Sequence, residues 1–154
     1  MFRAAVAAGS ELGRRVEPIL SSGELVPDEL TIALIRDRLS QPDAAGGFVL
    51  DGFPRNAVQA EALDGMLAEI GRPLDRVLFF DLDDATATER MLGRARDENR
   101  PDDTPAVIAR RLAIYHEQTE PVVERYRAAG TLRTLDAAGT IDDVFAEIEA
   151  ALRP

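Results

Sequence analysis

The sequence predicts an α/β fold in which helices cover both faces of a parallel sheet, a three-layer arrangement. Short apolar runs at residues 47–51, 76–82 and 131–135 have the length and composition of buried strands. The segments between them repeat apolar residues at a helical period, and this alternation is typical of a parallel sheet. Since the chain opens with helices, its elements have the order of an α/β protein without its first strand. No repeat or linker divides residues 1–154, which we interpret as a single domain.

The first third of the chain is predicted to be helical. Apolar residues from Phe2 to Leu20 follow a period near 3.6 residues, and Gly9-Ser10 marks a break and a new helix start. A further helix is expected to begin after Pro27 and to end before Pro42. Its inner face consists of Leu30, Leu34, Ile35 and Leu39.

Strands and helices then alternate to the end of the chain. The helix after the first strand ends at Gly71, and its expected inner face is Val58, Leu63, Met66, Leu67 and Ile70. After the second strand we expect helices at 84–95 and 105–129, the latter interrupted near Pro121. Thr140 is expected to cap the last helix, whose apolar residues are Ile141, Val144, Phe145, Ile148 and Leu152.

The composition excludes several classes of function. All 18 basic residues are arginine, against 28 acidic residues and a net charge of −10. Without cysteine there is no disulfide, thiolate zinc site or cysteine nucleophile, and without lysine there is no Schiff base. The acidic balance argues against binding to nucleic acid or to an anionic membrane. No apolar stretch approaches the roughly 18 residues of a membrane span, so we expect a cytoplasmic protein.

The loop Asp51-Gly52-Phe53-Pro54-Arg55 is the strongest candidate site, because it directly follows a predicted strand. Ligands of open α/β sheets bind outside the carboxyl ends of strands. Gly52 allows the backbone to approach a ligand closely, and Pro54 stiffens the turn. The alternative interpretation is an ordinary strand-to-helix turn with a surface salt bridge.

A group of arginines forms a second candidate site. Arg90 and Arg94 share one helical face, where like charges repel unless an anion neutralises them. A guanidinium group stays charged and can bind phosphate oxygens through two parallel hydrogen bonds. A solvated charged face is the alternative. The whole group is Arg90, Arg94, Arg96, Arg100, Arg110 and Arg111.

Two further features carry less chemistry by themselves. The turn from Glu24 to Leu30 is a helix cap in physical terms. The single histidine, His116, is expected to be a surface or packing residue rather than a catalytic base.

A series of motifs along the chain is similar to those of one known family. The motifs are Arg3, Leu25-Val26-Pro27-Asp28-Glu29-Leu30, the run from Gly47 to Arg55 with Gln59 four residues later, Glu89-Arg90-Met91-Leu92-Gly93-Arg94, Arg100 through Asp103, and Arg110-Arg111-Leu112. In this order and spacing they resemble the adenylate kinase family over essentially the whole chain. The resemblance implies the parallel-sheet fold of P-loop nucleoside monophosphate kinases and the Mg²⁺-dependent reaction ATP + AMP ⇌ 2 ADP.

The resemblance also implies an AMP site. Arg3 and Arg55 correspond to residues that hold the AMP phosphate, and Gln59 corresponds to the reader of adenine. Arg100 and Arg111 reach the same phosphate. The implied lining of the pocket is Glu24, Leu25, Val26, Gly52, Phe53 and Pro54. The AMP-binding part spans about residues 1–50.

For ATP, the resemblance implies that Arg90 stacks on adenine and that Gly139 offers its backbone near the base. Arg94, Arg100 and Arg111 converge on the transferring phosphoryl group, and with Arg55 they are the implied catalytic residues. The same resemblance implies that Asp51 orients Mg²⁺ through water. The stretch 94–103 resembles the short, zinc-free lid of some family members.

One part of the family pattern is absent from the sequence. The family begins with a strand, a glycine-rich phosphate loop that carries a lysine, and a helix, and none of these is present in the 154 residues. We therefore expect impaired kinase activity. The complete family fold is expected to be a monomer, whereas a sheet without a central strand exposes edges that favour self-association.

Three alternatives to an adenylate kinase remain open at this point. The chain could be a catalytically silent module that binds AMP or a protein partner. It could be a kinase for another nucleoside monophosphate, although Gln59 favours adenine. It could also be an acidic structural domain whose arginines only balance its carboxylates.

Overall fold

The computed structural model describes residues 1–98, 100 and 103–153. The chain divides into two compact units, one helical and one that contains the sheet. Unit 1 comprises Met1–Phe48 and Thr88–Ile114. Unit 2 comprises Val49–Ala87 and the chain from Tyr115 onward. No helix among the described residues is long and apolar enough to cross a membrane.

Unit 1 is built from helices. They are α1 (Phe2–Ala7), α2 (Glu11–Ser22), α3 (Asp28–Ser40), a 3₁₀ turn at Pro42–Gly46, α6 (Pro105–Ile114) and most of α5 (Asp84–Asp97). Ser10 caps α2 through its side chain, which accepts a hydrogen bond from the Gly13 amide at 3.0 Å. A side chain at Gly13 would overlap the Ala5 carbonyl, so glycine is what allows α1 and α2 to pack together.

Unit 2 holds a parallel two-stranded sheet and the helices packed on it. Its elements are α4 (Ala57–Glu69), β1 (Val77–Asp81), the start of α5, a π-helical segment (Tyr115–Thr119), α7 (Glu120–Ala128), β2 (Leu132–Asp136) and α8 (Ile141–Leu152). Val77 lies opposite Leu132 and Asp81 opposite Asp136. The core around them contains Ala60, Val122, Tyr126 and Leu132.

The expected strand at 47–51 is not formed, and this prediction was wrong. Within the described chain the sheet has two strands, with β1 bonded to β2. Gly47 has a φ of +140°, and the Val49 side chain is 94% exposed. A short apolar run is only a local signal, whereas a strand also needs a neighbour whose backbone groups it can bond. Residues 47–51 are not part of the β1–β2 ladder.

Most other elements follow the predictions from the sequence. The expected interruption near Pro121 is the π-helical segment immediately before α7. Thr140 caps α8 in a reciprocal capping box with Asp143. The prediction of the inner face of α4 was partly wrong, because Val58 and Ile70 are exposed. The apolar face of α8 also stays partly open, with exposed Ile141, Phe145 and Leu152.

Candidate functional site

The loop before α4 presents Arg55 in a defined conformation. The Arg55 Nε donates a hydrogen bond to the Gly52 carbonyl at 2.7 Å. Gly52 has a φ of +71°, and a Cβ there would lie 2.7 Å from the Arg55 Nη2. Glycine is therefore required both by the backbone conformation and by the space that the guanidinium group occupies. Phe53 is buried below the loop, and the Phe53–Pro54 peptide bond is cis.

Side chains also hold the backbone of this loop. The Arg55 amide donates to the Gln59 Oε1 at 2.8 Å, and the Gln59 amide donates to the Asn56 Oδ1 at 2.9 Å. Gln59 is a buried polar residue. Its carbonyl oxygen thus shapes the loop that presents Arg55, whereas the predicted reading of adenine by Gln59 remains a prediction.

A third contact to the loop was missed from the sequence. The Thr119 hydroxyl, at the end of the π-helical segment, donates to the Arg55 carbonyl at 2.7 Å. The amide and the carbonyl of Arg55 are therefore both held by side chains. Nothing in the local sequence indicates this contact, because the two residues are 64 positions apart.

In unit 1, two of the predicted arginines meet at one buried carboxylate. The Arg94 Nε and Nη2 donate to the Asp103 Oδ2 at 3.1 and 2.8 Å. The Arg111 Nη1 donates to the Asp103 Oδ1, and its Nη2 lies 3.5 Å from the Leu20 carbonyl oxygen. The Asp103 side chain is fully buried. One negative charge thus brings together two positive groups that would otherwise repel each other.

The remaining arginines are placed differently. Arg100 bonds the Glu98 carboxylate at 2.6 Å, rather than taking part in the pair of arginines at Asp103. Arg90 is exposed on α5. Part of the predicted lid at 94–103 lies outside the described residues, namely Asn99, Pro101 and Asp102.

The predicted AMP-lining turn lies between α2 and α3. Glu24 is exposed and bonds Arg110 at 2.7 and 3.2 Å. This bond holds the pKa of Glu24 below its ordinary value. Val26 is buried and Leu25 half-buried. Arg3, the other predicted phosphate ligand of unit 1, lies exposed on α1.

His116 lies in the π-helical segment between two carboxylates. Its Nε2 is 3.0 Å from the Asp84 Oδ2, and its Nδ1 is 3.1 Å from the Glu120 Oε2. Hydrogen bonding to Asp84, and secondly to Glu120, raises the pKa of His116 above its ordinary value. The expectation of a surface position is confirmed, with the addition that the ring joins the first turns of α5 and α7.

Known proteins resemble the chain over nearly its whole length. The family model described as Adenylate kinase matches residues 1–131. The adenylate kinase of Caulobacter vibrioides strain NA1000 / CB15N is 51% identical over 154 residues, which are 100% of this chain and 81% of the relative. That of Stenotrophomonas maltophilia strain K279a is 46% identical over 153 residues, 99% of this chain and 82% of the relative. The adenylate kinase of Thermobifida fusca strain YX is 47% identical over 153 residues, with 99% and 81% covered.

This chain belongs to the adenylate kinase family. The resemblance inferred from the motifs is therefore confirmed, and so is the α/β fold class. Two parts of the candidate site lie among the described residues. They are the loop that presents Arg55 and the pair of Arg94 and Arg111 at Asp103. We treat the roles of these residues as proposals below.

The residues of this adenylate kinase family member fit a hydrated Mg²⁺ better than a buried metal centre. Among the described residues, no group of three or more His, Cys, Asp or Glu side chains is placed to hold a metal ion. Asp51 is an exposed carboxylate at the start of the loop. Mg²⁺ keeps much of its water and binds through one or two carboxylates together with substrate phosphates. A single exposed carboxylate suits an ion that arrives with a nucleotide.

Gly139 is the last residue predicted to line the ATP site, and it lies in the turn between β2 and α8. A Cβ at this position would lie 3.0 Å from the Asp143 Cβ, in the capping box of α8. Glycine therefore keeps this turn close to the helix start.

Sequence reasoning quoted Asp103 only as part of the motif Arg100 through Asp103 and gave it no role. Its contacts with Arg94 and Arg111, nine and eight positions away, were missed because no local pattern indicates them.

Proposed function

We propose that this chain binds AMP and ATP and catalyses the reversible reaction ATP + AMP ⇌ 2 ADP. The observation that carries the proposal is the pair of guanidinium groups, Arg94 and Arg111, held together by the buried Asp103. Phosphoryl transfer depends mainly on positioning and on neutralising charge, not on a covalent nucleophile. Membership of the adenylate kinase family supports the same conclusion.

On the AMP side, Arg3 and Arg55 would bind the phosphate group of AMP. Arg100 and Arg111 would also contact this phosphate. Gln59 would read adenine. The defined conformation of Arg55 supports its role, since its side chain and both backbone groups have fixed partners. The proposed lining is Glu24, Leu25, Val26, Gly52, Phe53 and Pro54.

On the ATP side, Arg90 would stack on the base and Gly139 would lie near it. Arg94, Arg100 and Arg111 would bind the transferring phosphoryl group. Asp51 would hold water around Mg²⁺, which neutralises the β- and γ-phosphate oxygens when it is bound with ATP. Closure of the lid at 94–103 would exclude water that could otherwise accept the phosphoryl group.

Titration calorimetry with AMP tests the AMP site. We expect Arg55→Ala to weaken AMP binding at least about ten-fold, because it removes charge-assisted hydrogen bonds to phosphate. The matched control is Arg127→Ala, which removes an exposed arginine of unit 2 that pairs with Glu124. Equal affinity of wild type and Arg55→Ala for AMP would contradict the role of Arg55.

The turnover of the 154-residue chain is a separate question, because it contains no lysine for the phosphates of ATP. We expect a rate below about 1 s⁻¹ in a coupled ADP-formation assay, whereas protein kinases reach about 1–100 s⁻¹. A rate within that range would contradict the expected impairment.

The defined conformation of Arg55 would also serve one alternative function, a catalytically silent module that binds AMP. Separate titrations with AMP and ATP distinguish the two functions. Binding of AMP without binding or turnover of ATP would support the module. A higher rate with UMP or CMP than with AMP would instead indicate another nucleoside monophosphate as substrate.

We further infer that ATP, AMP and ADP are the partners of this protein, and that it acts in the cytoplasm. The net charge of −10 argues against nucleic acid and anionic lipid surfaces as further partners.

A further inference from the structure

The π-helical segment Tyr115–Thr119 contacts two other parts of unit 2, the start of α5 and the loop of Arg55. Near its start, His116 bonds Asp84 at the beginning of α5. At its end, the Thr119 hydroxyl donates to the Arg55 carbonyl. Segments with π-helical geometry are uncommon and frequently lie at functional sites. Only two residues, Glu117 and Gln118, therefore separate the titratable His116 from Thr119, which contacts the loop that presents Arg55.

The hydrogen bond from Thr119 restrains the backbone of Arg55 at its carbonyl group. The O–H···O distance of 2.7 Å is that of a well-formed hydrogen bond. The Arg55 amide is held independently by Gln59 at 2.8 Å. Loss of the Thr119 hydroxyl would leave the amide bond to Gln59 in place but remove a restraint on the Arg55 carbonyl, so the backbone conformation of Arg55 would be less well defined.

The contacts of His116 require a proton on each ring nitrogen. Asp84 faces Nε2 and Glu120 faces Nδ1, and both carboxylates accept hydrogen bonds. A neutral imidazole has one N–H, so one of its nitrogens would present a lone pair to a carboxylate. Asp81 at the end of β1 adds a further negative charge near Tyr115, whose ring packs edge-on against His116 at 5.3 Å. Asp84 and Glu120, the charged groups that act on the His116 ring, are both acidic.

We propose that the π-helical segment is a proton-dependent positioning element for Arg55, with His116 as its titrating group and Thr119 as the residue that acts on Arg55. When His116 is protonated, the segment is tied to α5 and α7, and Thr119 holds the Arg55 carbonyl. When His116 loses its proton, one of the two ties is lost and the Thr119 contact loosens. For AMP binding, the inference rests on the proposed function of Arg55.

The experiment uses the fact that the chain has a single histidine. In NMR spectra of the full chain without a histidine tag, one imidazole Hε1 signal reports the titration of His116. The Arg55 amide signal is followed over the same pH range. We expect it to shift with the same midpoint as His116 in the wild type, and to lose most of that shift in Thr119→Val, which removes only the hydroxyl.

Two controls separate positioning from general damage. Thr119→Ser keeps a hydroxyl and is expected to restore the joint titration. Asp84→Asn removes one tie to His116 and is expected to lower the midpoint of both signals together. The inference is overturned if the Arg55 amide does not follow His116 in the wild type, or if it still follows His116 fully in Thr119→Val.

Calorimetry then tests the consequence for the nucleotide. We expect Thr119→Val to bind AMP about five-fold more weakly than the wild type, the effect of losing one hydrogen bond, and Thr119→Ser to bind it normally. Equal AMP affinity of wild type and Thr119→Val overturns the positioning role. A wild type that binds no AMP overturns the proposed function instead, and the joint NMR titration then decides the inference alone.

Discussion

At Asp103, a fully buried carboxylate holds the guanidinium groups of Arg94 and Arg111 side by side. A buried charge is costly unless it is paired, and here both carboxylate oxygens have partners. Because the two arginines are only partly buried, the cluster keeps a net positive charge that can face phosphate. Asp103 therefore holds together the two side chains that we propose to bind phosphate.

Replacement of Asp103 by Asn tests this interpretation. We expect a loss of about 1–3 kcal/mol in the free energy of unfolding, because a charged hydrogen-bond acceptor is lost while both donors stay. Urea denaturation followed by circular dichroism measures it. The control is Asp43→Asn, which removes an exposed partner of Arg38 and should leave stability unchanged. Similar stability of the two variants would rule out a structural role for Asp103.

Gly52 offers a second test at the scale of one residue. A side chain at a φ of +71° costs about 1–2 kcal/mol, and in Gly52→Ala it would also displace the Arg55 guanidinium. We expect lower stability together with weaker AMP binding. Gly65→Ala is the control, because Gly65 lies inside α4 with open space around it. That variant should gain about 1 kcal/mol from helix propensity.

At the scale of elements, the first turns of α5 and α7 are joined by His116. The pKa of His116 is raised in the folded chain, first by Asp84 and then by Glu120. A group with a raised pKa stabilises the fold fully below its unfolded pKa of about 6.5, and this contribution is lost as the pH rises through the folded pKa. The stabilisation contributed by His116 should therefore decline as the pH rises above about 6.5.

Thermal unfolding at a series of pH values checks this dependence. The difference in unfolding midpoint between the wild type and His116→Gln should be largest near pH 5.5 and should shrink towards pH 8.5, a range of about three units around the histidine titration. A difference that does not change with pH would show that the imidazole proton contributes nothing.

The elements that could be predicted from the sequence are those with local signals. Thr140 caps α8 and Gly9-Ser10 separates α1 from α2, because caps and turns depend on residues a few positions apart. The strand expected at 47–51 could not be settled in this way, since ladder bonding depends on residues distant in sequence. The π-helical segment was visible only as an interruption, and its contact with Arg55 was not predictable.

At the scale of the whole molecule, unit 2 leaves apolar surface open. β1 is bonded to β2 alone within the described part of the chain, and Phe80 is 47% exposed. On α8, Ile141, Phe145 and Leu152 are also exposed. Unpaired strand edges and contiguous apolar surface favour association between chains.

We therefore expect the 154-residue chain to self-associate as its concentration rises. Sedimentation velocity over a concentration series measures this, and Phe145→Glu should shift the distribution towards monomer. Val58→Glu is the matched control, because Val58 is equally exposed but lies on α4. A wild type that remains monomeric at high concentration and melts cooperatively at high temperature would contradict the expectation.

The sequence by itself determined the family, the fold class and the residue types of the candidate site. Its motifs, helix ends and composition are local or chemical properties that need no knowledge of the folded chain. Only the tertiary structure decided that 47–51 is not a strand, that Asp103 joins Arg94 to Arg111, and that Thr119 holds the Arg55 carbonyl. The physical reason is range, because these features depend on hydrogen bonds and charges between residues that the chain brings together only when it folds.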